Sequence, residues 1–228
     1  MAIYFSSWLN YINNLLYRGV GSIPDPAKFR LCLSTSAGIS RSSNKATVIC
    51  TELPLEFGYT RKSIVYSTAS SFYNTEFRDR FDPVTATWTA SGGTLQFSSL
   101  FLLANANPVA NTSCTISNSK IIATNHGLIS GDEVCFSSIS GAFPTEIQSN
   151  TLYKVLNPTV NNFEIATIAA PSTPITISTA SGTYRLHYAT GQIVEFHIED
   201  SPRTRQSGLS YSVEMERAIG GMTYGNGI

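Results

Sequence analysis

The chain reads as an all-β protein: an antiparallel, jelly-roll-like β-sandwich that carries an inserted small β-barrel and is preceded by an amphipathic helix. Three observations predict this. Charged residues make up only 13% of the 228 positions, about half the usual share, and Ser, Thr, Asn, Tyr and Phe fill the deficit, which suits sheets with polar but uncharged outer faces. Short stretches of apolar–polar alternation recur along the chain, separated by turn residues. The texture then tightens between Asn111 and Tyr188, while the strands before and after that segment resemble each other in kind.

The first element is helical. Phe5, Trp8, Leu9, Ile12, Leu15 and Leu16 recur at three- and four-residue spacing, which is one face of a helix of about four turns. Ser7, Asn10, Asn13 and Asn14 occupy the other face, Arg18 sits in the last turn and Gly19 follows as a C-cap. Residues 1–19 form this segment. Its aromatic face either covers the end of the sandwich or docks on another subunit, and Phe5, Trp8, Leu9, Ile12 and Leu16 are the docking candidates.

A two-proline linker, "GSIPDPAKF", leads into the sandwich, residues 20–110 plus 189–217. "KFRLCLST" alternates Phe29, Leu31 and Leu33 against Lys28, Arg30 and Cys32. "ATVICTELP" and "KSIVYSTASSFY" read as further strands. Asp82-Pro83 marks a turn before a short strand to Trp88, and Gly92-Gly93 turns the chain into a strand ending near Leu103. After the barrel, "QIVEFHIED" sets Val194, Phe196 and Ile198 against Glu195, His197 and Glu199, and "LSYSVEME" repeats the pattern, so both predict half-buried strands with one wet face. Arg203 and Arg205 follow Pro202 in an expected hairpin loop. Residues 218–228 are a glycine-rich tail, mobile or ordered only by a partner.

The inserted module spans 111–188. Strand candidates come in quick succession: "CTISN", "KIIATN", "EVCFSSI", "LYKVLNP", "NFEIATI", "PITIST" and "TYRLHYA". Turn signals at Asn125-His126-Gly127, Gly131-Asp132, Asn157-Pro158, Asn161-Asn162 and Ser181-Gly182 separate them, as in a small barrel. Exposed loops of a host domain tolerate such insertions.

Two resemblances bear on identity. His126-Gly127-Leu128, Gly131-Asp132, Val134, Phe136, Thr151, Tyr153, Val155, Asn162, Phe163, Ile165 and Ala166 follow the order "HGL … GD-x-V-x-F … T-x-Y-x-V … N-x-F-x-I-A". This stretch resembles a β-module of bacteriophage tail, fibre and head-surface proteins, and is similar to a small β-barrel domain of ubiquitin-activating enzymes. The resemblance covers about a third of the chain and implies an accessory structural module without catalytic activity. The flanks, through Gly58, Tyr59, Arg61, Trp88, Phe101 and Gly191, look like a phage structural β-domain, which implies a virion component of head or tail.

The stretch "IIATNHGLISGDEVCFS" holds the densest polar chemistry, and it reads as turns. Asn125 and Gly127 tolerate positive φ, Gly131 takes a left-handed position, Asp132 caps its own backbone, and His126 stands on a turn tip. No nucleophile elbow or metal-ligand spacing accompanies them, so no catalytic residue, metal or cofactor is expected. His187 and His197 are placed on polar strand faces. Glu76, Asp79 and Asp82 are interleaved with Arg78 and Arg80, as in a solvated loop. Tyr66, Phe72, Tyr73 and Tyr153 are the aromatics a sugar-binding surface would use. Asn111-Thr112-Ser113 is a glycosylation sequon, expected to be silent.

Lys plus Arg and Asp plus Glu each total 15, so no global field favours nucleic acid or an acidic membrane. No apolar run approaches the roughly 20 residues of a membrane span. The four cysteines, Cys32, Cys50, Cys114 and Cys135, lack metal-knuckle spacing. They are expected to be reduced, with a 114–135 disulfide the alternative. The function expected is that of an oligomeric capsid decoration or cement protein, with a trimer the expected oligomer, made in the host cytoplasm and carried in the virion against a major capsid protein or tail subunits. A tail component (tube, adaptor or fibre) is the alternative, and a glycan-binding adhesin the third reading.

Overall fold

The computed structural model describes residues 3–4, 6–65, 70–73, 78–218 and 221–226. Two compact units divide the chain. One comprises Met1–Ser42, Leu55–Pro108 and Gln192–Ile228, the other Ser43–Pro54 and Val109–Gly191. Antiparallel strands are the main regular structure of both, with few helices, so the all-β reading holds.

In the first unit, α1 (Ser6–Arg18) begins after the short strand β1 (Ile3–Tyr4) and ends with Gly19 at φ 62°. A 3₁₀ turn at Pro26–Lys28, capped by the Asp25 side chain accepting from the Ala27 N–H, leads to β2 (Arg30–Ser34). β3 (Lys62–Ser63), β4 (Ser70–Tyr73), β5 (Arg78–Thr89) and β6 (Leu95–Ala104) follow. Beyond the second unit come β13 (Gln192–Arg205), β14 (Ser210–Ala218) and β15 (Gly221–Asn226). They make a five-stranded sheet, β1-β13-β6-β2-β3, and a four-stranded sheet, β15-β14-β5-β4. β6 is central in its sheet and buried along nearly its whole length, which explains why its sequence, LQFSSLFLLA, abandons alternation.

Four residues of the flanking resemblance interlock here. Gly58 sits at φ 86°, and a Cβ would lie 2.3 Å from the Thr89 carbonyl oxygen, so only glycine fits. The Tyr59 hydroxyl accepts the Leu33 N–H at 3.2 Å, the Arg61 guanidinium donates to the Asn107 carbonyl at 2.9 Å, and the Trp88 indole donates to the Thr60 carbonyl at 2.7 Å. The Tyr59 and Trp88 bonds fix a loop against a strand, and the Arg61 bond ties two loops together.

The second unit holds a closed barrel of six strands: β7 (Asn111–Ser117), β8 (Lys120–Ile122), β9 (Glu133–Ser140), β10 (Tyr153–Leu156), β11 (Asn162–Thr167) and β12 (Ala180–Tyr188), in the order β10-β11-β8-β7-β12-β9. Closure removes the edge strands, and Ile116, Ile121, Val134, Phe136, Val155, Phe163, Ile165 and Leu186 fill the interior. The seventh strand candidate, "PITIST", is not a strand. Pro174 has no donor, and the Ile175 N–H makes one bond to the Ile165 carbonyl before Ile177 turns to the Ser119 hydroxyl.

Several expectations are corrected. "ATVICTELP" opens not as a strand but as α2 (Lys45–Cys50), because the Asn44 side chain accepts the Ala46 N–H at 2.8 Å and caps a helix whose Ala46, Val48 and Ile49 are buried. It belongs to the second unit rather than to residues 20–110 as a block. Asp82-Pro83 does not turn the chain; β5 runs through it, with Pro83 beside a register shift in the pairing with β14, where its missing N–H is tolerated. Glu195 and Glu199 are buried, so β13 has no continuous wet face. Two register shifts in its pairing with β6 break the alternation. Arg203 and Arg205 lie within β13, and the turn falls later, at Gly208. Within the glycine-rich tail, Gly221–Asn226 hydrogen-bonds along β14 from Ala218 back to Val213, so these described residues are paired in the sheet.

Candidate functional site

Three places were singled out by sequence: the polar turn of the barrel, the aromatic face of α1, and the scattered acids and aromatics. In the barrel, Asn125, Gly127 and Gly131 have φ of 51°, 65° and 92°. Asp132 accepts the Ile129 N–H at 2.9 Å through one carboxylate oxygen and the Thr190 hydroxyl at 3.1 Å through the other. Thr190 in turn accepts the Glu133 N–H at 2.9 Å. The chain is thereby tied from the 129–132 turn to the end of β12.

His126 does not stand on a turn tip. It is buried, its ring lies edge-on to Phe163 at 5.0 Å, and Nδ1 accepts the Leu128 N–H at 3.0 Å. Its carbonyl accepts the Tyr188 hydroxyl at 2.6 Å. Nδ1, its lone pair engaged by the Leu128 N–H, is not free to act as a base, and Nε2 has no hydrogen-bond partner among the described residues. His187 is likewise buried rather than on a polar face, with Nε2 2.8 Å from the Ser137 hydroxyl. His197 is half-buried in the other unit, where burial pulls its pKa below the ordinary value despite Glu199 at 4.0 Å. Among the described residues, no three His, Cys, Asp or Glu side chains gather as metal ligands would.

One ionic cluster of the second unit escaped the sequence reading. Lys45 of α2 pairs with Glu133 of β9 and donates to the Gly191 carbonyl at 2.6 Å. Lys154 of β10 reaches the other Glu133 oxygen at 3.0 Å and the Gly131 carbonyl at 3.0 Å. Burial alone would push the Glu133 carboxyl up, but Lys45 and then Lys154 outweigh it and hold the group below its ordinary value. At Lys45 burial wins over Glu133, and its pKa falls. No spacing signal links positions 45, 133 and 154; only the fold of α2 onto the barrel could reveal them.

The α1 face divides. Trp8 is 6% exposed and stacks on Tyr11 at 5.3 Å, whereas Leu9 is 44% and Leu16 68% exposed. Ile12 is half-buried, and Phe5 lies outside the described residues. Tyr17, Val20 and Ile23 are exposed beyond them. One face of the helix is thus anchored by Trp8, while large apolar side chains remain outside.

The remaining candidates disperse. Tyr153 lies in the barrel core with its hydroxyl accepting the Gln148 N–H at 2.8 Å, so it offers no ring to a sugar. Tyr66, Glu76 and the side chains of Phe72, Tyr73, Asp79 and Asp82 lie outside the described residues. A shallow groove beside the polar turn is lined by Leu128, Ile129, Ser130, Pro158, Thr159 and Val160, with Ile129 and Val160 exposed. Compared with protein-family models, with curated proteins and with solved structures, the chain matches none.

Proposed function

We propose that the chain is a virion structural protein, an oligomeric capsid decoration or cement subunit, whose host β-sandwich carries the small barrel as an inserted, outward module. The observation that carries this reading is how the polar motif residues are used. Gly58, Tyr59, Arg61, Trp88, Asn125, Gly127, Gly131 and Asp132 bend backbone or tie loops to strands and to one another, as the resemblance to phage β-modules expects of a structural part. Work would be done by contact area, with Leu9, Leu16, Tyr17, Val20 and Ile23 available to a partner. The Phe97–Tyr211 edge contact at 4.7 Å, between β6 and β14, supports a sandwich-like packing of the two sheets of the first unit.

The test is to mix the purified chain with expanded phage capsids and with tails, sediment each, and measure heat resistance. A cement subunit co-sediments with capsids and raises their rupture temperature. Binding to tails alone moves the protein to a tail component, and binding to host glycans in isolation, without either particle, contradicts the proposal.

A further inference from the structure

The second unit is made of two separate chain stretches, Ser43–Pro54 and Val109–Gly191, and two thiols meet where they join. Cys50, the last residue of α2, lies with Sγ 3.0 Å from Sγ of Cys135 in β9, a separation of 85 positions along the chain. Cys135 alternates with Val134 and Phe136, which fill the barrel interior, so its thiol points outward toward α2. Both backbones are held in place. Asn44 caps α2, Lys45 pairs with Glu133 two residues before Cys135, and the Asn111 amide donates to the Leu53 carbonyl at 2.8 Å. The sulfurs need to approach by only about 1 Å to bond.

The disulfide left open from sequence, Cys114 with Cys135, is a different matter. Cys114 belongs to the barrel interior while Cys135 faces α2, so the wall of the barrel lies between them. Burial pushes the Cys114 thiol up to about 12, which makes it inert as a nucleophile.

We propose that Cys50 and Cys135 are a disulfide-forming pair that staples the α2 segment to the barrel once the protein meets a low-molecular-weight disulfide oxidant. Cys50 is only half-buried and Cys135 is fully buried, so Cys50 reacts first. Its thiolate attacks one sulfur of oxidised glutathione, forms a mixed disulfide and expels one glutathione thiolate. Cys135 then gives up its proton to solvent, attacks the Cys50 sulfur and expels the second glutathione. Two protein thiols are oxidised, one glutathione disulfide is reduced to two thiols, and no other reactant is needed. Burial, then the neighbouring Cys50, raises the Cys135 pKa well above the usual value, whereas the Lys45 ammonium opposes this; the second exchange is therefore the slow one. The inference stands whether or not the chain belongs to a virion.

The experiment is to incubate the full chain with oxidised glutathione, denature it in an alkylating reagent and map the peptides without reduction. The expected result is one linked pair, Cys50 with Cys135, alkylated Cys32 and Cys114, and an unfolding temperature raised on the order of 10 °C. Cys50→Ser and Cys135→Ser each abolish the link, and Cys114→Ser retains it. Four alkylated cysteines, a persistent glutathione adduct on Cys50 or a link between other positions overturns the proposal, and the map of the unsubstituted chain decides this without reference to whether any variant folds.

Discussion

Asp132 engages both carboxylate oxygens, one on the Ile129 N–H and one on the Thr190 hydroxyl. Hydrogen bonds to a charged acceptor are among the stronger ones, and removing the acceptor leaves a turn donor unmet. Asp132→Ala should lower stability by about 2 kcal/mol in denaturant unfolding, and Asp132→Asn by less. Glu133 makes a second prediction. Its folded pKa lies below its ordinary value because of Lys45 and Lys154, so the unfolded chain takes up the proton first as pH falls. The stabilisation is fully present above the ordinary carboxylate pKa and is lost as pH drops through the lower folded value. Glu133→Gln should cost about 2 kcal/mol at neutral pH, since it leaves Lys45 half-compensated, and should flatten the acid limb of the stability curve. An acid limb unchanged by the substitution would contradict this assignment. The turn at 125–132 was legible in sequence because Asn, Gly and Asp each have a local backbone reason to be there. The burial of His126 was not, because it depends on Phe163 and Tyr188, 37 and 62 positions away.

At the scale of elements, the strands with strict alternation or clear turn boundaries were readable, and those under non-local control were not. β2 and the six barrel strands fall close to their sequence signals. α2 was misread because six residues, KATVIC, are too short to carry a decisive period and their Thr, Val and Ile favour a strand, and a single capping residue, Asn44, settles the outcome. β13 was misread on one face because bulges shift its register and bury Glu195 and Glu199. α1 was read correctly in position, with Gly19 in the C-terminal left-handed conformation, but its apolar stripe is split between anchor and surface. Trp8→Ala should therefore destabilise the protein by about 3 kcal/mol in thermal or denaturant unfolding, whereas Leu9→Ser and Leu16→Ser should each stay within about 0.5 kcal/mol. Equal losses at all three would mean that the whole stripe is covered within the monomer.

The whole molecule joins two all-β units through four chain crossings: the chain passes from the first unit to the second at Ser43 and again at Val109, and returns at Leu55 and at Gln192. Pieces of one unit contributed by distant stretches are the kind of arrangement sequence pattern misses, since each piece is locally ordinary and only their meeting is informative. The four cysteines illustrate the point: their spacing excluded a metal knuckle but could not reveal that positions 50 and 135 converge. The account assigns polar motif residues to shape and the outer α1 residues to contact. The most direct test is co-sedimentation of the Leu9→Ser/Leu16→Ser double variant with capsids, beside the unsubstituted chain. The account predicts that the variant keeps its unfolding temperature within a few degrees and loses particle binding; undiminished binding by the variant would contradict it.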